Sequence, residues 1–296
     1  MHRLVLSASR RTDIPAFYMP WFMKSIENGV FDVPHPYGGR STPVPATVDR
    51  VHTIVFWSKD FGHFLNGGYG DQLVRKGYRL FFNFTINAEH PILEPGVPCL
   101  EERLGQLSRL CARFGAERVQ WRFDPICYYR TSAGRIVDTT AGFEAIARQV
   151  ASLGVSRCIT SFVDPYRKVL RRFAASPLTF FDPPPHEKTA SIMRMSRCLD
   201  SLEVALHVCC EKSLLDALPA ESTVRGAACI PNHLLAALHG ADVSLRKDNG
   251  QRAAAGCGCR ISRDIGSYAL HPCGHNCLFC YANPHSDQKR LKVDNP

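Results

Sequence analysis

The chain has 296 residues, of which 45% are hydrophobic and 21% are charged, a composition that is typical of folded globular proteins and excludes disordered and fibrous ones. At this length folding buries about three quarters of the unfolded surface, so a stable core forms without cross-links. The net charge of +9 suits an anionic partner, although the lysines and arginines are spread along the chain. The 13 cysteines need an explanation other than disulfides, because an odd number cannot all be paired within one chain.

Two further classes of protein are excluded by the distribution of apolar residues. The first residues lack the apolar core of a secretory signal peptide, and no apolar run approaches the roughly 18 residues of a membrane span. We therefore expect a cytoplasmic protein with reduced cysteines and no membrane partner.

Short β-branched or aromatic runs alternate with segments of helical period between residues 3 and 211. This alternation is typical of repeated βα units over a parallel sheet. Helices are predicted over residues 98–114 and 139–154, and the proline-rich residues 176–187 are predicted to form a surface loop. Six strands are predicted, over residues 4–7, 53–57, 80–85, 119–123, 158–162 and 204–208.

Polar residues follow each predicted strand directly, which favours a partial or complete TIM-like (βα) barrel with its site at the C-terminal mouth. No GxGxxG follows the first strand, which argues against a dinucleotide-binding domain. The pair Arg10 and Arg11 suits a planar anion such as a carboxylate or phosphate, but these residues could also form a surface turn in which Asp13 caps a helix. Arg122 and Asp124 could be a buried ion pair, and Lys59 could be a solvated residue at a strand end. The candidate catalytic residues at these strand ends are Arg10, Arg11, Asp13, Lys59, Arg122 and Asp124.

The pattern of βα units ends near residue 225, so we divide the chain into a barrel domain, 1–225, and a cysteine-rich segment, 226–296. This segment has few apolar residues, and bonds to a metal are the expected source of its order. Cys273, Cys277 and Cys280 have the spacing CxxxCxxC, which presents three thiolates to a [4Fe-4S] cluster and leaves one iron open. The open iron could chelate S-adenosylmethionine. The alternative is a zinc site completed by one histidine, drawn from His271, His275 or His285.

This spacing, with Phe279 before the last cysteine, resembles the cluster motif of the radical SAM superfamily, and residues 273–282 look most like its spore photoproduct lyase-like branch. The resemblance implies reductive cleavage of S-adenosylmethionine, hydrogen abstraction from an unknown substrate, and a reductant protein of the flavodoxin or ferredoxin type. Two features of the sequence depart from the usual pattern of that superfamily. The motif follows all six predicted strands, which implies a permuted arrangement with the loop folded over the barrel mouth. The usual Gly-Gly-Glu is missing, and Glu211 is expected to replace its contact to the S-adenosylmethionine amino group.

The chain also resembles the uncharacterised DUF1848 family in residues 7–15, 55–59, 121–126, 209–211, 229–230 and 257–283. The resemblance favours Cys209 over Cys210 as a functional cysteine. Together with Cys229, Cys257 and Cys259, it could ligate a second [4Fe-4S] cluster or a zinc ion, or Cys229 could be a core residue. We expect the other cysteines to be packing residues: Cys99, Cys111, Cys127, Cys158 and Cys198.

A second function remains open, because the net charge and the lyase-like motif also suit a nucleic-acid-binding or repair protein whose metal site is structural. The two functions are compatible if the substrate is itself a nucleic acid.

Overall fold

A parallel sheet of eight strands forms the centre of the protein. The computed structural model describes residues 2–35 and 41–282. The strands in these residues are β1 Leu4–Ala8, β2 Val30–Val33, β3 Thr42–Pro45, β4 Val51–Ser58, β5 Leu80–Thr85, β6 Val119–Arg122, β7 Tyr128–Arg130, β8 Ile136–Asp138, β9 Arg157–Thr160, β10 Thr179–Phe181, β11 Ala205–Val208, β12 Arg225–Gly226 and β13 Arg263–Asp264.

Ten α-helices lie in the same residues: α1 Ile14–Phe17, α2 Met19–Glu27, α3 Gly62–Asn66, α4 Tyr69–Arg75, α5 Leu100–Phe114, α6 Phe143–Ser152, α7 Arg167–Ala174, α8 Pro185–Asp200, α9 Lys212–Asp216 and α10 Asn232–His239. Short 3-10 helices cover Ala116–Arg118 and Ala253–Ala255. None of these helices combines the length and apolar character needed to span a membrane.

The order of the sheet is β12-β11-β9-β6-β5-β4-β1-β13, and all its strand pairs are parallel. Within this sheet the strands from β1 to β12 follow one another in chain order. Strand β13 returns to pair with β1 on its other side, with Ser7 opposite Asp264. The predicted α/β fold with a parallel sheet is confirmed, and all six predicted strands are present. A closed barrel is not found among the described strands, because the edge strands β12 and β13 do not pair with each other.

The predicted loop over residues 176–187 is wrong in part. It contains β10, which pairs antiparallel with β7 through Phe180 and Tyr129, and it ends at the start of α8. Pro185 occupies the first turn of α8, where its missing N–H leaves no hydrogen bond unmade. Helix α6 begins after Gly142, which has a φ of 81°, and not at the threonines where the sequence pattern placed its start.

Alternate side chains of the strands face two different layers. Leu6, Ile54 and Phe82 belong to the core formed with the helices. Val5 and Val55, on the opposite face, pack against the chain from residue 227 to residue 259. Residues beyond the predicted boundary at 225 thus cover one face of the sheet and also supply to it β13 and the second residue of β12, Gly226.

Candidate functional site

The loop that carries the CxxxCxxC motif, residues 272–282 and hereafter the motif loop, lies at the C-terminal ends of the strands. Tyr281 donates its hydroxyl to the carbonyl of Arg10, directly after β1, at 3.2 Å. The backbone N–H of Leu278 bonds to the carbonyl of Leu93 at 2.8 Å, and the buried Arg172 donates to the carbonyl of Leu278 at 2.8 Å. The loop is therefore held by three separate parts of the chain at the edge where the strand ends meet.

A buried pair, His275 and Asp13, makes the deepest of these attachments. His275 Nε2 lies 2.8 Å from Asp13 Oδ2, and Nδ1 lies 3.0 Å from the carbonyl oxygen of Gly96. Burial opposes the charged imidazole, but the hydrogen bond and charge of Asp13 outweigh it and raise the pKa of His275. Asp13 also accepts from Ser58 Oγ at 2.7 Å and from the backbone N–H of Lys59 at 2.9 Å. Both groups are thus engaged within the protein, and His275 has no ring nitrogen left for a metal.

The two other histidines proposed as zinc ligands differ in their surroundings. His271 is buried, with its ring 4.1 Å from that of Trp21 and 5.0 Å from that of Tyr18, and burial lowers its pKa. His285 lies outside the described residues. Asp13, for its part, caps α1 through its side chain, as the surface-turn interpretation expected, but it does so as a buried residue.

The three thiols of the motif lie close enough to interact electrostatically: Cys277 with both Cys273 and Cys280, and Cys273 with Cys280. Cys277 is buried, and no cysteine of the chain forms a disulfide. Cys280 Sγ accepts the backbone N–H of Ala282 at 3.3 Å. Burial raises the pKa of Cys273 and Cys277, so a bound metal would be needed to hold their sulfurs as thiolates. The three sulfurs are therefore neighbours, although residues 2–35 and 41–282 contain no set of three metal-binding side chains arranged for one ion.

Cys273, like Cys280, accepts backbone N–H groups at its sulfur, in this case from His275 and Asp13. The second of these donors belongs to the loop after β1. The motif loop and the loop after β1 are thus joined at the cysteine as well as through the side chains described above.

A cavity of about 300 Å³ opens beside Cys280. Its walls hold strand-end residues, the C-terminal cysteines and several aromatic rings. The lining residues include Ser9, Arg10, Trp57, Lys59, Thr85, Arg122, Asp124, Ser161, Asp164, Tyr166, Cys209, Cys210, Cys229, Arg252, Cys257, Cys259, Phe279, Cys280 and Tyr281. Four of the six predicted catalytic residues therefore meet here, whereas Arg11 and Asp13 lie outside this lining among the described residues.

Lys59 belongs to a half-buried network on one wall. Its ammonium lies 2.5 Å from Glu94 Oε1 and 5.5 Å from the ring centre of Phe279. Burial opposes its charge, but Glu94 and Cys277 outweigh this and raise the pKa of Lys59. Asn87 Nδ2 donates to both Glu94 oxygens at 3.3 Å. Sequence reasoning missed Glu94 because it lies in an irregular segment with no periodic signal.

Arg122 and Asp124 do form an ion pair, with 2.5 Å between Nη2 and Oδ2. Asp124 also accepts from Ser161 Oγ at 2.5 Å; burial opposes its ionisation, but Arg122 and Ser161 keep its pKa below the usual value. The other terminal nitrogen of Arg122 donates to Cys229 Sγ at 2.9 Å. The pair is therefore both a structural unit and a contact to the C-terminal cysteines.

The two consecutive arginines after β1 face different surroundings. The guanidinium of Arg10 lies 5.4 Å from the ring centre of Trp57, and its backbone N–H donates to Asp264 Oδ2 at 2.7 Å. Arg11 points away from the cavity and donates to the carbonyl of Gly266 at 2.9 Å. Asp264, which sequence reasoning did not single out, fixes the end of β1 against β13.

Five cysteines, not four, gather opposite the motif loop. We call Cys209, Cys210, Cys229, Cys257 and Cys259 the second cysteine group. Cys209 Sγ lies 3.6 Å from Cys210 Sγ and 3.7 Å from Cys229 Sγ. Cys257 contacts Cys210 and Cys259, and Cys259 contacts Cys229. The sulfurs thus form a closed ring of neighbours, although no set of three or more metal-binding side chains within residues 2–35 and 41–282 is arranged for one ion.

Glu211 and the remaining cysteines have other neighbours. Glu211 accepts the backbone N–H of Phe162 at 3.2 Å, and burial raises its pKa; it is not among the described residues that line the cavity. Cys127 and Cys158 are buried, as packing residues should be, whereas Cys99 is exposed at the start of α5.

Comparison with protein families identifies a match for this chain. The model of the family DUF1848, a domain of unknown function, matches residues 5–282, which is almost the whole chain and confirms the resemblance. No curated protein matches the chain significantly. The protein therefore belongs to the DUF1848 family.

Proposed function

We propose that this protein is a radical SAM-type iron-sulfur enzyme, in which Cys273, Cys277 and Cys280 hold a [4Fe-4S] cluster at the strand ends of a partial TIM-like barrel. One observation carries the proposal. The three thiols with the superfamily's spacing lie next to one another, and one of them, Cys280, opens on a cavity built from charged strand-end residues.

The alternative of a zinc clip has weaker support. A clip of three cysteines and one histidine needs a free imidazole nitrogen. Both ring nitrogens of His275 face protein oxygens. His271 has a buried Nδ1 without a hydrogen-bond partner, but the contacts of its ring are with Tyr18 and Trp21. Three thiolates without a fourth protein ligand are the set that leaves one iron of a cluster open to a small molecule.

When bound, the cluster and S-adenosylmethionine would supply the 5'-deoxyadenosyl radical that abstracts hydrogen from the substrate. The chain supplies the charges around them. The Lys59 ammonium, fixed by Glu94, interacts electrostatically with Cys277 and is the cation that we assign to the carboxylate of S-adenosylmethionine. Asp124, fixed by Arg122 and Ser161, is the carboxylate on the same wall, and we assign it to the substrate side of the cavity.

Glu211 does not line this cavity among the described residues, so we keep its contact to the amino group only as a weaker part of the proposal. Phe279 lines the cavity beside Lys59 and would shield the cofactor from water. The electron would come from a flavodoxin- or ferredoxin-type reductant.

The test is iron and sulfide quantification with an assay for 5'-deoxyadenosine, on protein purified anaerobically and reduced with dithionite. We expect deoxyadenosine from the native chain and none from Cys277→Ala. Cys198→Ala is the matched control, because Cys198 packs on α8 away from the cavity, and it should retain the product. A colourless native protein that contains zinc and forms no deoxyadenosine would refute the proposal.

A second candidate function, binding of nucleic acid, is favoured by one surface feature. A groove of about 700 Å³ beside β1 and β13 is lined by the arginines Arg3, Arg10, Arg11, Arg50 and Arg263. Phosphates are bound by such clusters, and the affinity then falls steeply with salt as counterions are released.

Titration of a labelled DNA and RNA duplex at low and high salt tests this function. Binding that weakens about tenfold or more between 50 and 200 mM salt would support it, since several phosphate contacts give such a slope. Absence of binding at low salt, or equal affinity of Arg50→Ala/Arg263→Ala, would rule out this groove as the interface.

A further inference from the structure

The second cysteine group is surrounded by guanidinium groups. Arg122 donates to Cys229 Sγ at 2.9 Å, and the side chain of Arg10 is in hydrogen-bond contact with Cys259 Sγ. Both guanidiniums lie over the same indole, that of Trp57, with 5.2 and 5.4 Å to its ring centre. Two cations thus approach two neighbouring sulfurs of the group from the sheet side.

These contacts suit sulfurs that serve as thiolate ligands of a metal. A neutral thiol is a weak hydrogen-bond acceptor, whereas a thiolate is a good partner for a guanidinium. The guanidinium of Arg10 interacts electrostatically with Cys259, with the carboxylate of Asp264 and with Cys229, and it lies 3.4 Å from Ser262 Oγ. A guanidinium removed from water needs an anionic partner. Asp264 supplies one such anion, and a metal-bound thiolate at Cys259 would supply a second.

Neighbouring thiolates in turn require a cation between them. Cys229 lies next to Cys259 and 3.7 Å from Cys209, and like charges at this separation repel strongly in a buried site. A metal removes the repulsion. Four thiolates on a zinc ion or on a [4Fe-4S] cluster leave a net charge of about −2, which guanidinium groups can balance.

We propose that Cys209, Cys229, Cys257 and Cys259 ligate a second metal centre, and that Arg10 and Arg122 are positioning residues that donate to its sulfurs. The centre shares no ligand with the motif loop, but it faces the same cavity as Cys280. The side chains of the two arginines therefore serve this centre.

Cys209 is the fourth ligand because it directly continues β11, where its backbone N–H bonds to the carbonyl of Thr160 at 2.8 Å, and because its sulfur touches that of Cys229 on the side of Arg122. Cys210 has a φ of 60°, and its sulfur lies beside Arg252, which is paired with Asp164 at 2.7 Å. Cys210 is a neighbour of the centre on the cavity side.

Metal analysis of a triple variant, Cys273→Ala/Cys277→Ala/Cys280→Ala, tests the centre separately from the proposed function. The full chain purified anaerobically should retain about four irons with sulfide, or about one zinc, per chain, and the two results distinguish a cluster from a zinc ion. Adding Cys209→Ala should remove this metal, and adding Cys210→Ala should not. A triple variant without iron or zinc would overturn the proposal, and loss of metal on Cys210→Ala alone would overturn the ligand assignment.

The arginines are tested in the same background through the rate at which a chelator removes the metal. Arg122→Met and Arg10→Met should each speed the loss about tenfold, the effect expected from one hydrogen bond to a charged group. Arg→Lys at each position should restore most of the native rate. If the metal is iron, each Met variant should also shift the reduction potential to more negative values, because a positive charge and a donor to sulfur are lost.

Arg10 lies in a loop, so Arg10→Met decides the question if Arg122→Met fails to fold. An unchanged rate and potential in a folded Arg10→Met protein would refute its role. If the native chain and the triple variant contain the same metal, the second centre stands and the proposed function fails.

Discussion

Gly96 is the position where a single methyl group should displace the motif loop. A Cβ at Gly96 would lie 2.8 Å from the carbonyl oxygen of Gly274 and 2.9 Å from the Cα and carbonyl oxygen of His275. Ordinary contacts of carbon lie at about 3.5 Å or more, so the loop must move by about 0.6 Å. All three neighbours are backbone atoms, which cannot rotate away.

The energetic penalty can be worked from these contacts. Overpacking of a rigid contact costs about 1–3 kcal/mol. The backbone bond from Gly96 to the carbonyl of His275 at 3.0 Å and the bond from His275 Nδ1 to Gly96 at 3.0 Å would both weaken, at about 1 kcal/mol each. We therefore expect Gly96→Ala to destabilise the protein by about 2–4 kcal/mol and to lower its iron content.

Thermal unfolding of the anaerobic protein measures the first effect, and iron analysis measures the second. For a chain of this size the melting temperature should fall by about 4–8 °C. Gly105→Ala is the control, because Gly105 lies within α5 and a methyl group added there would have no atom within 4 Å, and alanine there should stabilise the helix by about 0.5–1 kcal/mol. A Gly96→Ala protein with native melting temperature and full iron content would show that the loop does not rest on Gly96.

Three other changes have defined outcomes. Lys59→Met leaves the buried carboxylate of Glu94 without its cation and should cost about 3 kcal/mol of unfolding free energy in urea; Glu94→Gln added to it should recover most of the loss, and a double variant no more stable than Lys59→Met would contradict the pairing. Burial, and next Arg118, lower the pKa of His239 to about 4, below the ordinary value of about 6.5. The contribution of the neutral, buried His239 to stability is thus present above pH 6.5 and is lost as the pH falls toward 4. His239→Gln should therefore flatten the pH dependence of urea unfolding between pH 6.5 and pH 4. An unchanged dependence in the variant would contradict the lowered pKa. A Cβ at Gly258 would lie 2.6 Å from a backbone oxygen, so Gly258→Ala should release metal from the triple cysteine variant, and unchanged metal content would argue against the tight turn there.

The sequence pattern was sufficient for the six central strands of the parallel sheet, because each of them is a short apolar run between turn residues. Strand ends are also predictable, since polar residues appear there in every unit, and this is why Lys59 and Arg122 were identified. The CxxxCxxC motif needs only local spacing to be recognised. These features have in common that their signal lies within a few neighbouring residues.

Other parts of the site have no such local signal. Glu94 and Asn87 lie in irregular segments, and their roles depend on a lysine from another strand end. The contact between His275 and Asp13 joins residues 262 positions apart, and neither residue shows it in its own surroundings. Cys210 could not be separated from Cys209 because the backbone conformation of both, including the positive φ of Cys210, decides where their sulfurs point.

The CxxxCxxC motif lies near the end of the sequence, but in the folded protein it lies beside the first strand of the sheet, β1. The motif follows β13, yet its loop lies against the loop that follows β1. Strand β13 pairs parallel with β1, so the chain leaves both strands at the same edge of the sheet. Asp264 then accepts from Ser9 Oγ and from the backbone N–H of Arg10, which joins the two exits. Because Cys273 accepts the backbone N–H of Asp13, the motif loop rests on the very loop that follows β1. A cysteine motif at this end of the chain therefore needs only a returning edge strand to reach the loop after β1, and β13 supplies that strand.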